Sequence, residues 1–387
     1  MHDNVDKNND YLEHYVKHNI SPVRQNISDI KAHFLRRTAL YRTLGLLPSS
    51  FTDKKVLEVG PGSGYNSLVV AAWSPSRYVL VEPNPTGVVH IKNLFREKSC
   101  ESRIDLINMR IEEYSPNEQY DIILCEGMIP GLNNKELILT KLDALLKDDG
   151  ILVVTCADEI SMFFEIIRYY FTHKLTKAIK EFKDKISVAV DAFGSHLDTL
   201  EGFSRLKEDW CADCLFGYAH FNYDFSLKKC IEFFMNKYYV YNTSPSIFSD
   251  YRWYKKLPHE PNLYNQFYIE QFDTKKHNLL HYQVIALDRT KQENEELLSL
   301  CMSAMNIIYD HVRYNSSDSE IKLFHLCDLL IKNLRRVDRR IVDALIEIQN
   351  IFKSGVYTID GISQGCKSFG SAFGRGQQYI SLIKIKA

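Results

Sequence analysis

Five short runs in the first 160 positions are almost wholly apolar: KVLEV (55–59), YVLVE (78–82), IDLINM (104–109), YDIILC (120–125) and ILVVTC (151–156). They are rich in Val, Ile and Leu, as strands buried on both faces are. Stretches with helical spacing lie between them, at 65–72, 86–98 and 134–147. Strand alternating with helix predicts right-handed βαβ units and a parallel sheet covered on both sides. Ahead of these runs, SDIKAHFLRRTALYRTLGLL places Ile30, Phe34, the neighbours Ala39 and Leu40, and Leu44 at spacings of about three to four along one helix face. That spacing predicts a helix with those residues on its buried face, capped by Ser28 or Asp29 and ending near Gly45.

The alternation stops after residue 157. Residues 159–191 read as helical, with Lys174, Lys177, Lys180, Lys183 and Lys185 on a solvated face, and 194–224 as irregular and aromatic. KYYVYNTSP (237–245) predicts a sixth strand. Long helical patterns fill 260–353, broken near 315–319, and the closing FGRGQQYISLIKIK alternates like an antiparallel strand. The expected division is an N-terminal helical segment (1–50), a cofactor-binding core (51–160), a helical and irregular lid (161–236), a sixth-strand region (237–250), a helical insertion (251–355) and a C-terminal strand closing the sheet (356–387). The fold class is α/β, a doubly wound seven-stranded sheet with a large, mostly helical insertion.

The first run empties into Gly60-Pro61-Gly62-Ser63-Gly64. Bare glycine backbone lets a ligand approach closely. Ligands of open α/β sheets bind outside the carboxyl ends of the strands, near free N–H groups of the following helix. Dinucleotide pyrophosphates call for G-x-G-x-x-G. Here the spacing is G-x-G-x-G, and Glu58 just ahead would repel phosphate. The acid suits a ligand that is positive there, which points to S-adenosylmethionine, with its ammonium and sulfonium and no phosphate. Glu82, ending the second run, can accept from two ribose hydroxyls, a device that NAD sites share.

In that order, VLEVGPGSGYNS, LVEPNP, YDIILCEG and LLKDDGILVVT resemble the class I S-adenosylmethionine-dependent methyltransferases, over roughly residues 30–160 and the last strand. The resemblance implies a Rossmann-like sheet and S-adenosylmethionine as cofactor. It implies that Glu58, Gly60, Pro61, Gly62 and Gly64 cradle the methionine end, that Glu82 holds the ribose, and that Pro83 and Asn84 lie by the adenine. Arg110 stands where the family usually has an acid for the adenine amino group; its backbone and Ile111 would contact the ring instead. Glu126 and Gly127 follow the fourth strand, where the family faces the methyl group, and Arg36 or Tyr41 would reach the cofactor carboxylate.

The remaining numbers narrow the partners. The formal net charge of the 387 residues is −1, so no global field favours nucleic acid or an anionic membrane, though a local basic patch is compatible with it. MHDNVDKNND has no apolar targeting stretch, and no run reaches the roughly 20 residues that span a bilayer. The nine cysteines include one C-x-x-C, Cys211 and Cys214, without a second pair or a matching His pair, so no metal site is expected. A cytoplasmic protein is expected, its oligomeric state open and a homodimer among the options. No Asn-Pro-Pro-Tyr or Asp-Pro-Pro-Tyr follows the fourth strand, which disfavours base-amine methylation.

His196 with Asp198 in GSHLD, and Glu126, are the candidate catalytic groups; Asp209, Trp210, His220 and Tyr223 are weaker ones. Arg252 and Arg375 would grip an anionic substrate or pair with carboxylates of the chain itself. The expected activity is methyl transfer to oxygen or nitrogen of a small polar acceptor such as a sugar, nucleotide-sugar or amino-acid-like metabolite. Protein methylation, aminopropyl transfer and a non-catalytic cofactor-binding module are the alternatives, with a nicotinamide dehydrogenase disfavoured by the glycine spacing and Glu58.

Overall fold

The computed structural model describes residues 11–21, 24–217 and 223–386. The apolar runs become strands: β1 (Lys55–Val59), β2 (Arg77–Val81), β3 (Asp105–Ile107), β4 (Tyr120–Cys125), β5 (Leu146–Cys156), β6 (Tyr238–Ser244) and β7 (Gln378–Lys384). They form one sheet in the order β3-β2-β1-β4-β5-β7-β6. β1 to β5 pair in parallel, and β7 is antiparallel to both β5 and β6. β6 therefore points the same way as β1, and its carboxyl end lies on the same edge. The strand order reverses between β1 and β4, the switch point where an open α/β sheet leaves a crevice.

Two elements depart from the pattern. β5 starts at Leu146, five residues before its apolar run, because the preceding helix Lys135–Leu145 stops there and a register shift opposite Tyr120/Ile122 accommodates the extra length. The helix Ile30–Thr43, capped by the Asp29 side chain on the Ala32 N–H, keeps the expected Leu40 and Leu44 against the core but also buries positions that were not expected there. His33, Arg37 and Tyr41 point inward, while Leu35 is 62% exposed and Ile30 is also exposed.

The chain divides into two compact units. The first holds the sheet: the described residues up to Cys156, then Phe225–Ile269 and the C-terminal segment from Gln377. Its core joins Tyr41, Phe51, Val56, Leu80, Phe95 and Leu124. The second comprises the described residues of Ala157–Asp224 together with Glu270–Gly376 and is helical. Its long helices include Phe163–Thr176, Phe182–Leu197, Lys291–Tyr314, Ser319–Leu334 and Arg339–Ser354. A Thr290–Glu293 capping box starts Lys291–Tyr314, and Asn315 in the left-handed region ends it, at the break foreseen near 315.

Candidate active site

The glycine loop sits where β1 ends. Gly60, Gly62 and Gly64 all have positive φ (70°, 60° and 79°), a conformation that costs glycine nothing and strains other residues. The helix that follows, Ser67–Ala72, is short and starts three residues after Gly64, so its dipole adds little. Instead the loop is organised by a carboxylate. Glu82, just past β2, accepts the Gly62 N–H on one oxygen and the Asn84 N–H on the other, both at 2.8 Å. A carboxylate offers about four acceptor positions, so two remain for ligand hydroxyls. Burial raises the Glu82 pKa to about 7, against the pull of these two N–H groups.

Neighbouring residues hold this arrangement from outside. Gly87 is bare because a Cβ there would meet the Gly62 carbonyl at 2.8 Å and the Glu82 side chain at 3.2 Å. Asn108, just past β3, donates to the carbonyls of Glu82 (2.8 Å) and Pro83 (3.2 Å). Asn84 caps the helix Pro85–Glu97 and donates to the Ile20 carbonyl. The N-terminal segment straps the loop further: the Ser21 and Ser63 hydroxyls meet at 2.8 Å, and His33 Nε2 donates to the Tyr65 carbonyl. Ile111 is buried on this edge, with Arg110 half-buried beside it.

A second polar group occupies the β1–β4 crevice. Glu126, just past β4, accepts from Arg37 Nη2 (2.6 Å) and from the Tyr41 hydroxyl (2.5 Å). Arg37 also donates to Tyr41 (3.2 Å), and Tyr379 of β7 adjoins it. Burial works against the charge on Arg37, but Glu126 and Tyr41 hold its pKa well above the usual value. Tyr41, expected on the cofactor carboxylate, thus bonds Glu126, with its ring edge-on to Phe51 and Trp73. Arg37 takes the place expected of Arg36, which is exposed, because 33, 37 and 41 are one turn apart on the inward face. Gly127 follows in the left-handed region and donates its N–H to the Thr155 hydroxyl of β5. Glu58 faces the same crevice. Its pKa is raised to about 7 by burial and then by the charge on Glu126, against a hydrogen bond from Tyr78.

The other candidates are engaged in contacts of their own. His196 belongs to the helical unit, where Nε2 donates to the Ile362 carbonyl and the ring meets Phe193 and Phe369 edge-on. Burial pushes its pKa down to about 3, so it is a neutral core imidazole and a poor base. Asp198 does not pair with it; its carboxylate meets Lys207 at 2.7 Å in solvent. The expected His–Asp pair is therefore overturned. Arg375 is spent on the carbonyls of Asn278, His281, Tyr282 and Val284, and Arg252 on Asp250. Cys211 and Cys214 are free thiols, both pushed up by burial, and no group of three or more metal-ligating side chains is assembled among the described residues. Tyr223 is in the helical unit, and His220 is outside the described residues.

A family model described as a methyltransferase domain matches residues 32–185. A malonyl-[acyl-carrier protein] O-methyltransferase of Acetivibrio thermocellus is 24% identical over 157 residues, 40% of this chain and 54% of the relative. The protein of the same name from Priestia megaterium is 26% identical over 121 residues, 31% of this chain and 43% of the relative. The matched stretch thus spans about half the length of these relatives. Among solved structures, PKMT2 from Rickettsia typhi in complex with AdoHcy aligns at 16% identity over 61% of this chain and 49% of that one, with a TM-score of 0.38. The glycine loop, Glu82 and Glu126 all fall inside the matched residues, so the segment that carries them is similar to a methyltransferase domain.

Proposed function

We propose that the chain transfers the methyl group of S-adenosylmethionine to an oxygen or nitrogen of a small polar acceptor. The observation that carries this reading is Glu82: a buried carboxylate bridging Gly62 and Asn84, with acceptor capacity left for a pair of hydroxyls. The residues fit the cofactor. Glu82 would hold the ribose hydroxyls, the bare loop 60–64 would lie along the methionine part, and Glu58 would face its ammonium. Ile111 would pack on the adenine, with Pro83, Asn84 and Arg110 at its rim. When bound, the cofactor supplies a sulfonium-activated methyl group for in-line displacement.

The chain's own contribution is positioning, exclusion of water and charge. The N-terminal strap, through Ser21 and His33, fixes the loop, and Arg37 holds the Glu126 carboxylate in place at the switch point. Glu126 is the acid from this cluster that would orient an acceptor hydroxyl or amine and take its proton. The relatives are named as O-methyltransferases, which favours oxygen. Their names also refer to a carrier-protein substrate, so a protein-borne acceptor is the second reading.

Calorimetric titration with S-adenosylmethionine, S-adenosylhomocysteine and NAD tests the assignment. Micromolar binding of the adenosyl ligands, weakened at least tenfold in Glu82→Gln with the fold retained, supports it. Preference for NAD, or no adenosyl binding, sinks it. Glu126→Gln should then lower kcat far more than cofactor affinity.

A further inference from the structure

We propose that the loop following β6, residues 249–258 (SDYRWYKKLP), docks this edge of the sheet onto an anionic phospholipid surface. The inference does not rest on the methyltransferase reading. Because β6 runs parallel to β1, the loop leaves the sheet at the edge that carries the glycine loop and Glu126. Its inner side is pinned. Arg252 forms a forked ion pair with Asp250 (Nε to Oδ1 3.0 Å, Nη2 to Oδ2 2.8 Å), and its guanidinium lies 4.0 Å from the Phe267 ring centre, with Tyr264 and Tyr268 around it.

With Arg252 turned inward, its neighbours turn out. Tyr251 is 94% exposed, Trp253 56% and Tyr254 70%. Lys255 lies over the rings of Trp253 and Tyr254, at 5.1 and 5.8 Å, and Lys256 is exposed beside it. Neither lysine forms an ion pair among the described residues. The loop holds one carboxylate, Asp250, against three cationic side chains, and Arg252 pairs with it.

Three features choose the occupant. The aromatic side chains stand out from the surface, whereas small-molecule sites are concave. Trp253 and Tyr254 are nearly perpendicular, at 88°, so they offer no flat platform for a sugar ring. Lysine is depleted in the centre of protein–protein contacts, whereas Trp, Tyr and Lys together are the residues of the bilayer interface. The chain's near-zero net charge led the sequence reading away from membranes, but this loop concentrates charge that the whole chain cancels. The proposed contact is peripheral: among the described residues no helix is long and apolar enough to cross a bilayer.

The test is binding of the full chain to vesicles, read by sedimentation and by tryptophan emission. The chain has three tryptophans, of which Trp73 and Trp210 are largely covered. Mixed phosphatidylcholine–phosphatidylglycerol vesicles should bind the protein and shift its emission to the blue, and phosphatidylcholine alone should not. Trp253→Phe should abolish the blue shift while retaining most of the binding. Lys255→Glu with Lys256→Glu should weaken binding by about tenfold or more, since each lysine near an anionic leaflet contributes on the order of fivefold. Equal binding to neutral vesicles, binding untouched by the charge reversal, displacement by free glycerol phosphate, or no binding at all would each overturn the proposal.

Discussion

Glu58 and Glu82 are both carboxyls raised from 4.5 to about 7, first of all by burial. In the folded chain each keeps its proton over a window in which the unfolded chain has lost it. Their contribution to stability is therefore fully present below about 4.5 and is lost as pH rises through about 7. The ligand-free protein should melt at progressively lower temperature as pH is raised across that window, and Glu58→Gln should flatten the slope. A cationic ligand reverses the preference at Glu58. S-adenosylmethionine binding near pH 6.5 should release a proton, seen as an enthalpy that depends on the buffer's ionisation heat, and affinity should rise by up to about tenfold per pH unit below 7. Glu58→Gln should abolish the proton release. Not every residue of this site was legible. Gly60, Gly62 and Gly64 announce themselves because three glycines after a strand signal positive φ. Gly87 does not, because its reason is an approach by the Gly62 carbonyl from elsewhere in the chain. Asn108 likewise reads as one more polar residue after a strand, until its side chain is found on the Glu82 and Pro83 carbonyls. Gly87→Ala should leave the fold intact and weaken cofactor binding about tenfold or more, because its Cβ drives the loop away from Glu82; isothermal titration and a thermal melt together separate these effects.

Among the elements, strands were easier to read than helix faces. A buried parallel strand is apolar throughout, so its run alone marks it. A helix must be read by which side is apolar, and Ile30–Thr43 departs from that rule: it covers His33, Arg37 and Tyr41 and leaves Leu35 in solvent. Local pattern and tertiary role conflict in this helix, as they do at functional sites. The conflict has an energetic signature. Arg37→Met strands the Glu126 carboxylate in a buried crevice, which should cost about 3–5 kcal/mol by denaturant unfolding. Arg37→Met combined with Glu126→Gln should recover much of that loss, because no unpaired charge remains. Methyl transfer should stay abolished in the double variant. If the double variant were active, the pair would be an ornament of the fold and Glu126 no part of the chemistry.

For the whole molecule, the sheet-bearing unit is assembled from three separated stretches, and the last to be made is also its closure. β7 lies between β5 and β6 and is hydrogen-bonded to both, so β6 has no other partner in the sheet. The alternation in QYISLIK was enough to foresee an antiparallel closing strand, but not which segments would gather into each unit. That division depends on contacts between residues more than 100 positions apart, as between Ser381 and the Leu44 carbonyl or Lys384 and the Asp143 carboxylate. These contacts tie the C-terminal strand to the N-terminal half, and loop closure over such distances comes late in folding. Deleting residues 377–387 should therefore unpair β6 and expose the apolar edges of β5 and β6, giving an aggregating product without a cooperative thermal transition. Supplying QYISLIKIK as a separate peptide should partly restore the transition and, with it, binding of S-adenosylmethionine. If the truncated chain melted cooperatively and bound the cofactor unaided, β7 would be an accessory strand, and the unit would close on β1 to β5 alone.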